Sequence, residues 1–488
     1  MLKFISIICT LSLLGACANT VDKETRIESE HDKPNVVMIF IDDMGYGDIS
    51  AFGNDQVPTP HIDRLAKEGQ KFTNFYVNSP ICSPSRVALK TGVYPHRERI
   101  NSFLESRKNN AQRNMADFMS AERLTYAKLF QQAGYATAHF GKWHIGGGRD
   151  VDNAPLPKAY GYDESLVSFE GLGNRILWQK HGNQRLSWQY SPDKGQILSK
   201  RKHQTTETYV DKAIDFIQRH KGQPFLVNMF PNDVHDAHMP SEAKLEKWQG
   251  KGRHIKEDKF FAVLDEMDRQ IGRLLNAIDE AGLANNTIVM LTSDNGPTDW
   301  GHYYKLNMTP PPGFTGPFFG RKWSLYEGGI RMPFLIRWPS KIKAGIVNNN
   351  TWFSAIDILP SLAVMADLKL PANVELDGED MSKALIGGNQ IRSKPLFWEY
   401  GVYPTIRPGL KAHRSPKLAM RDGNYKLLMN PDGSQVMLFN LEKDLGEKTN
   451  LALQVPEQVS QMKPQLLKWW QEMNMYFMQE NPDISGYQ

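Results

Sequence analysis

Two pairs of oxygen-bearing side chains stand directly after two short apolar runs of the sequence. Asp42 and Asp43 follow NVVMIFI, and Asp294 and Asn295 follow TIVMLTS. Carboxylate and amide oxygens, with no His or Cys beside them, suit a hard divalent cation such as Ca²⁺ or Mg²⁺ and disfavour zinc. Helix N-capping by one Asp of each pair is the alternative interpretation. Two such pairs, each directly after an apolar run, favour the cation.

A single cysteine lies in a third polar segment, ICSPSRVALKTG, at positions 81–92. The chain has three cysteines, Cys9, Cys17 and Cys82. The first two belong to an N-terminal segment of secretory type, so Cys82 has no partner for an intramolecular disulfide. A buried structural cysteine and a functional cysteine both fit this pattern.

The elements that must position these residues alternate along the chain. Apolar runs at 35–41, 136–140, 224–230 and 287–293 predict buried parallel strands. Amphipathic segments such as TYVDKAIDFIQRHK lie between them and predict helices. Polar groups after the carboxyl ends of parallel strands meet at one edge of the sheet. We therefore predict an α/β three-layer sandwich with a large, mostly parallel sheet between helices.

The pattern changes after residue 385. PLFWEYG, KLAMRDGNYKLLMN and QVMLFNLE predict antiparallel strands joined by turns, and PEQVSQMKPQLLKWWQEMNM predicts a helix after them. We expect a catalytic domain at 34–385 and a smaller C-terminal α+β subdomain with a short antiparallel sheet at 386–488.

The N-terminal residues predict export. MLKFISIICTLSLLGAC has one Lys, an apolar run and then small residues, which is the layout of a signal peptide. Leu14-Gly15-Ala16-Cys17 resembles a bacterial lipobox, so we expect a signal at 1–16, lipid on Cys17 and a flexible tether at 17–33. Cleavage that leaves a free Cys17 is the alternative. The expected location is the bacterial cell envelope, anchored to a membrane through that lipid.

Composition narrows the partners only slightly. The 488 residues carry 58 Lys and Arg against 54 Asp and Glu, a formal net charge of +4, with no basic stripe. That balance gives no support to nucleic-acid binding, and we predict no nucleic-acid partner.

The segment CSPSR, followed by Thr91-Gly92, resembles the signature of type I sulfatases of the alkaline phosphatase superfamily. Further segments resemble family segments in family order: NVVMIFIDDMGYGD, TPHIDRLAKEGQKFTNFYV, GYATAHFGKWHIG, SDNG, KWSLYEGGIRMPF and VMLFNLEKDLGEKTNLA. The resemblance implies a sulfuric ester hydrolase in which a maturation enzyme oxidises Cys82 to Cα-formylglycine. One hydroxyl of its hydrate attacks sulfur, and the other expels sulfate by reforming the aldehyde.

The resemblance also implies roles for residues at matching positions. Pro84 and Arg86 complete the sequence that the formylglycine-generating enzyme reads, and Arg86 also holds the hydrated aldehyde. Lys142 and His144 match the family's Lys-x-His, with Lys142 neutralising sulfate and His144 orienting the hydrate. Lys322 matches the second sulfate-binding lysine. One Ca²⁺, with Mg²⁺ as the alternative, is expected on Asp42, Asp43, Asp294, Asn295 and modified Cys82.

The family's leaving-group histidine has two candidates in PNDVHDAHMP, at 231–240. His235 resembles the histidine of the P-D-D-V-H form found in some bacterial sulfatases, and we choose it over His238, which fits H-x-P. A nearby carboxylate, Asp233 or Asp236, is expected to keep the imidazole protonated for general acid catalysis.

The expected substrate is a sulfated poly- or oligosaccharide, because lipid-tethered bacterial members of the family resemble polysaccharide-degrading enzymes. Two long loops rich in aromatic and basic residues, 171–196 and 299–321, are expected to shape the sugar subsites. His96, Arg97 and Arg99 are candidate contacts for a carboxylate or a second sulfate. A phosphodiesterase or phosphonate monoester hydrolase of the same superfamily is the first alternative. A non-catalytic lipoprotein that binds sulfated glycans is the second.

Overall fold

The structure is a computed structural model that describes residues 33–147, 151–169, 171–180, 183–184, 195–401 and 406–478. The predicted signal peptide, the lipidation site at Cys17 and the tether up to residue 32 lie outside the described residues, as does much of the loop at 171–196.

Strands and helices alternate through most of the described chain. The strands are β1 (Asn35–Ile41), β2 (Gln70–Tyr76), β3 (Ala136–Lys142), β4 (Glu164–Ser168), β5 (Arg175–Lys180), β6 (Asn183–Gln184), β7 (Ile197–Lys200), β8 (Phe225–Phe230), β9 (Thr287–Ser293), β10 (Arg331–Arg337), β11 (Ile346–Asn348), β12 (Phe353–Ser354), β13 (Leu396–Glu399), β14 (Leu418–Asp422), β15 (Tyr425–Met429) and β16 (Met437–Asn440). The helices are α1 (Pro60–Glu68), α2 (Cys82–Thr91), α3 (Arg107–Ala111), α4 (Tyr126–Gln132), α5 (Thr205–Arg219), α6 (Glu242–Trp248), α7 (Ile255–Glu280), α8 (Gly301–Tyr304), α9 (Glu327–Ile330), α10 (Ile358–Met365), α11 (Ser382–Leu385) and α12 (Pro456–Met478).

The large sheet is mixed and mostly parallel at its centre. Its order is β11-β2-β10-β9-β1-β8-β3-β4-β5-β6, with β12 beside β2 and β7 beside β5. Strand β1 runs parallel to both β8 and β9, and β3 runs parallel to β8. Strand β10 is antiparallel to β2 and β9. The predicted central strands are thus confirmed, and their carboxyl ends share one edge.

Strand β1 is apolar after its first residue, Asn35, because both faces of the sheet are covered. Alternate side chains enter two different cores: Val36, Met38 and Phe40 enter one, and Val37, Ile39 and Ile41 enter the other. Side chains from α1, α5 and α7 complete the second core. Those from α2, α4 and α10 lie in the first. This arrangement confirms the predicted three-layer sandwich.

A separate four-stranded antiparallel sheet, β13-β14-β15-β16, follows with α12 beside it. Its apolar side chains join the first core of the large sheet, and the indole of Trp398 donates to the carbonyl of Val77 over 2.7 Å. The predicted short antiparallel sheet is confirmed, and its first strand begins at Leu396. Among the described helices, none combines the length and apolar character that crossing a bilayer requires.

Candidate active site

The site lies where four neighbouring parallel strands end. In the order β9-β1-β8, these strands are followed by Asp294 and Asn295, by Asp42 and Asp43, and by the loop 231–240. Strand β3, next to β8, ends at Lys142. Asp43 and Asp294 are 251 residues apart in the sequence, yet the amide of Asp43 donates to Asp294 Oδ1 over 3.0 Å. Strand direction therefore gathers the two predicted oxygen-donor pairs at one point.

Cys82 begins helix α2 and faces the carboxylates. Its side chain is buried, with Sγ 3.4 Å from Asp42 Oδ1 and 3.8 Å from Asp43 Oδ1. The Nζ of Lys322 lies 3.5 Å from the same sulfur. Burial, followed by the charge of Asp294, raises the pKa of the thiol well above its ordinary value. The unmodified Cys82 thiol is therefore a poor source of thiolate.

Arg86 lies one turn further along α2, completely buried beneath the cysteine. Its Nη2 donates to Asp294 Oδ2 over 2.6 Å and lies 3.5 Å from Asp42 Oδ1. Its Nη1 donates to the carbonyl of Lys142 over 3.0 Å. One guanidinium thus joins the ends of β1, β3 and β9 to the helix that carries Cys82.

The two predicted sulfate-binding lysines are paired with the two adjacent carboxylates. Lys142 Nζ donates to both oxygens of Asp42, over 2.7 and 2.8 Å. Lys322 Nζ donates to Asp43 Oδ1 over 2.5 Å. Burial opposes ionisation of Asp42, but Lys142 and other cations hold its pKa well below the ordinary value. These ion pairs compensate for adjacent buried charges that would otherwise repel each other.

The oxygen donors fit a hard cation. Asn295 Nδ2 donates to Asp43 Oδ1 over 2.8 Å, whereas its buried Oδ1 has no hydrogen-bond partner among the described residues. A buried amide oxygen without a donor is costly unless another group binds it, and a divalent cation is such a group. Ligand atoms of Asp42, Asp43, Cys82 and His235 also lie within 4.8 Å of one another. Burial raises the pKa of Asp294 to about 6 although Arg86 opposes this rise.

His235, and not His238, lies against this cluster. His235 Nε2 is 3.7 Å from Asp43 Oδ2, and its Nδ1 lies 2.5 Å from the carbonyl oxygen of Asp236. His238 instead bonds to the carbonyl of Val234 over 3.0 Å and packs edge-on against Phe260. The geometry therefore favours the predicted choice of His235.

The carboxylate expected beside His235 differs from the prediction. Asp236 Oδ1 accepts a hydrogen bond from the hydroxyl of Tyr303 over 2.6 Å, and Asp233 accepts one from Thr206. The carboxylate nearest to the imidazole in these contacts is Asp43. Burial lowers the pKa of His235 to about 4, against the opposing effect of Asp43.

His144 packs against an aromatic residue that also contacts other residues of the site. It is buried and packs edge-on against Phe169, with ring centroids 4.6 Å apart. The same Phe169 ring lies 4.4 Å from Lys142 Nζ and 5.9 Å from the ring of His235. Phe169 thus contacts three predicted site residues. The sequence analysis missed it, because nothing in SFEG distinguishes this Phe from an ordinary core residue.

Four residues at the site have left-handed backbone conformations. Asp43, His144, Phe169 and Trp323 have φ angles of 60°, 51°, 58° and 70°. Such a conformation costs a non-glycine residue about 1 kcal/mol or more, so the surrounding contacts must maintain it. Asp43 pairs with Lys322, and Trp323 directly follows that lysine. Phe169 lies against Lys142, and His144 packs on Phe169.

Three candidate substrate contacts are occupied elsewhere. His96 is buried and bonds to Glu399 over 2.9 Å, and Arg97 forms a two-pronged pair with Asp377, both bonds 2.8 Å long. Arg99 Nη2 donates to the side-chain oxygen of Asn114. These contacts link segments of the protein to one another, and the suggestion that the three residues read a carboxylate or a second sulfate stays a prediction.

Family models match the chain over most of its length. The sulfatase model matches residues 34–368, and a model for the C-terminal part of N-sulphoglucosamine sulphohydrolase matches residues 316–474. The chain is 30% identical to the N-acetylgalactosamine-6-O-sulfatase of Bacteroides thetaiotaomicron, over 93% of this chain and 96% of that protein. It is also 30% identical to human arylsulfatase A, over 89% of this chain and 87% of that protein.

Solved structures agree with these matches. Ps i-CgsB in complex with k-i-k-neocarrahexaose has a TM-score of 0.74 at 25% identity, covering 90% of this chain and 92% of that one. A 6S-sulfatase from work on the metabolism of multiple glycosaminoglycans by Bacteroides thetaiotaomicron has a TM-score of 0.72 at 26% identity, covering 91% and 100%. The chain therefore belongs to the sulfatase family and is a sulfuric ester hydrolase.

Proposed function

We propose that this enzyme removes sulfate from a sulfated saccharide, with formylglycine made from Cys82 and one Ca²⁺ at the strand ends. The observation that carries this proposal is the convergence on Cys82 of two lysines and a set of oxygen donors. Cys82 Sγ lies within 3.8 Å of Asp42, Asp43 and Lys322. Membership of the sulfatase family supports both the formylglycine and the divalent cation, and Mg²⁺ is the alternative to Ca²⁺.

The protein residues divide the work by position. When present, the hydrated formylglycine supplies the attacking oxygen and the cation polarises the sulfate. Lys142 and Lys322 supply two positive charges beside the attacking position, where sulfate oxygens accept their hydrogen bonds. Arg86 fixes the start of α2 relative to Asp294, so the nucleophile and the oxygen donors keep their spacing. Because the nucleophile and the oxygen donors are already placed relative to one another, little reorganisation is needed to reach the transition state.

His235 is proposed to protonate the departing sugar oxygen from Nε2. A backbone carbonyl can only accept a hydrogen bond, so Nδ1 donates to Asp236 and must carry a proton. Nε2 is then the nitrogen that exchanges a proton with substrate. The added negative charge of a bound sulfate ester favours the imidazolium form that this step requires.

The surroundings of Lys322 favour a saccharide as the substrate. Trp300 is 39% exposed and lies edge-on to Trp323, with ring centroids 4.6 Å apart, and Trp323 directly follows Lys322. An exposed indole beside a sulfate site can stack on a sugar ring. The names of the relatives point the same way, because one is an N-acetylgalactosamine-6-O-sulfatase and one solved structure holds neocarrahexaose.

The proposal is tested by measuring sulfate release from a panel of sulfated oligosaccharides, including galactans, fucans and glycosaminoglycans. The tryptic peptide with Cys82 should be about 18 Da lighter than the unmodified peptide, because the thiol becomes an aldehyde. Cys82→Ala is the matched inactive control. Faster hydrolysis of phenyl phosphonate than of any sulfate ester would favour the phosphonate hydrolase instead. Saccharide binding without sulfate release would favour the non-catalytic alternative. An active enzyme with an unmodified, alkylatable Cys82 would contradict the mechanism.

A further inference from the structure

Lys202 is a buried lysine that the proposed chemistry does not use. It follows β7 and lies in the turn 202–204 that leads into α5, with 3% of its surface exposed. Its Nζ lies 5.2 Å from the ring centroid of Trp178. Burying an ammonium group is costly unless hydrogen bonds replace its water, so its partners indicate why it is there.

Those partners are three carbonyl oxygens of a single loop. Nζ donates to the carbonyl of His235, to that of Ala237 over 3.0 Å, and to that of Asp233 over 3.5 Å. A lysine ammonium has three protons, and the three carbonyls match that number. All three belong to the loop 231–240: one is that of His235, and the others lie two residues before it and two residues after it.

The same loop has one further contact with another segment and one within itself. The hydroxyl of Tyr303 donates to Asp236 Oδ1 over 2.6 Å, and His238 bonds to the carbonyl of Val234 over 3.0 Å. The imidazole of His235 uses Nδ1 for the carbonyl of Asp236 and directs Nε2 towards Asp43. The direction of Nε2 therefore depends on the carbonyl of Asp236, and Lys202 bonds to the carbonyls of His235 and Ala237 on either side of it.

We infer that Lys202 is a positioning residue for the leaving-group proton donor: it orients the His235 loop so that Nε2 faces the departing oxygen. This inference rests on the proposed function, in particular on His235 as the general acid. Lys202 itself need not touch substrate.

The inference predicts a loss that depends on the leaving group. A sugar alkoxide needs protonation as it departs, whereas para-nitrophenolate leaves readily without it. Lys202→Met should lower kcat on the best sulfated saccharide by about 10²-fold, the usual contribution of a general acid. Its kcat on para-nitrophenyl sulfate should fall far less, and KM on both substrates should stay nearly unchanged.

Two comparisons make the effect specific. His235→Ala should show the same leaving-group dependence, and Lys202→Met in that background should cause almost no further loss on the saccharide, because both changes remove one function. Lys247→Met, at an exposed lysine of α6 paired with Asp265, is the control and should change neither rate. If Lys202→Met does not fold, Lys202→Gln, whose amide donates only two hydrogen bonds, is measured by the same criterion.

Equal losses on both substrates, or an additive double variant, would overturn the role of Lys202 and leave the proposed function intact. Failure of the unaltered enzyme to release sulfate from either substrate would instead contradict the proposed function, and this inference with it.

Discussion

At the scale of single residues, the site uses each carboxylate for two purposes. Asp42 and Asp43 accept hydrogen bonds from Lys142 and Lys322 and also provide the oxygens expected to bind a cation. Asp294 likewise pairs with Arg86 while accepting the amide of Asp43. A change at any of these residues therefore affects both the charge balance and the ligand set.

Asp43→Asn should remove bound cation and activity together. The neutral amide is a weaker ligand and leaves Lys322 without its ionised partner, so kcat should fall on the order of 10²-fold or more. Elemental analysis of the purified protein measures Ca²⁺ and Mg²⁺ directly, and exposed Asp55→Asn is the matched control. Full Ca²⁺ occupancy in Asp43→Asn at unaltered activity would contradict the assignment, as would stoichiometric zinc in the unaltered enzyme.

At the scale of elements, helix α2 explains the glycine that closes the signature segment. Gly92 has a φ of 71° and its amide donates to the carbonyl of Ala88, which ends the helix ten residues after it begins at Cys82. A Cβ at this position would lie 3.0 Å from Leu376 Cδ2. Only glycine adopts this conformation without strain.

Gly92→Ala should therefore destabilise the protein by about 1–2 kcal/mol, from the strained φ angle together with the close contact. Chemical denaturation measures this change, and Gly282→Ala, where a Cβ meets no atom within 4 Å at a φ of 73°, separates backbone strain from crowding. The two variants should differ by the crowding contribution. A Gly92→Ala protein as stable as the unaltered enzyme would contradict the role of this helix end.

Helix α7 carries an acid-sensitive contact. Burial alone would raise the pKa of Glu266, but hydrogen bonds from neighbouring side chains lower it to about 2; they are Arg269, Lys244 and Gln270. A carboxyl whose pKa falls on folding stabilises the native state above its unfolded pKa, and this contribution disappears as pH falls from about 4.5 towards 2.

Glu266→Gln should lower the free energy of unfolding by about 1 kcal/mol at pH 7, after discounting for solvent screening at this partly buried site. The difference from the unaltered protein should vanish near pH 2. Unfolding curves measured across this range test the sign, and a difference that grows as pH falls would contradict it.

Much of the fold and site could be predicted because the signals are local. The run NVVMIFI predicts a strand, the strand direction predicts where Asp42 and Asp43 lie, and the structure agrees at both levels. Phe169 and Lys202 could not be predicted in this way. Their roles depend on contacts between segments far apart in sequence, and neither residue type nor spacing marks such contacts.

At the scale of the whole molecule, a buried ionic cluster joins the small sheet to the catalytic domain. Lys426 of β15 bonds to Glu327 over 2.8 Å and to Glu447 over 2.9 Å, with all three side chains inaccessible to solvent. Glu327 stands five residues after Lys322. The C-terminal subdomain thus supports the segment that carries Lys322, one of the two lysines proposed to bind sulfate.

Lys426→Met should leave two buried carboxylates without their shared cation and destabilise the protein by about 3–5 kcal/mol. Differential scanning calorimetry measures the lower Tm, and exposed Lys443→Met is the control. KM for the sulfated substrate should also rise if the Lys322 segment shifts. An unchanged Tm would show that the small sheet does not depend on this cluster.

Residues 1–32 add a prediction that concerns location. We propose that Cys17 carries the lipid that holds the enzyme at the cell envelope, on the basis of its position after Leu14-Gly15-Ala16. Labelled fatty acid should attach to the unaltered protein and not to Cys17→Ala. Labelling that persists in Cys17→Ala, or that never occurs in the unaltered protein, would contradict the anchor.

The pairing of Lys142 and Lys322 with the strand-end carboxylates has a thermodynamic consequence. A divalent cation that binds Asp42 and Asp43 competes with both ammonium groups and makes them available to an anion, whereas an anion that attracts the ammonium groups exposes the carboxylates to the cation. Such coupling is reciprocal, so a cation bound to these carboxylates should tighten sulfate binding by the same factor by which sulfate tightens binding of the cation. Product inhibition by inorganic sulfate should therefore weaken as free Ca²⁺ is lowered, because each of the two oppositely charged ions favours binding of the other.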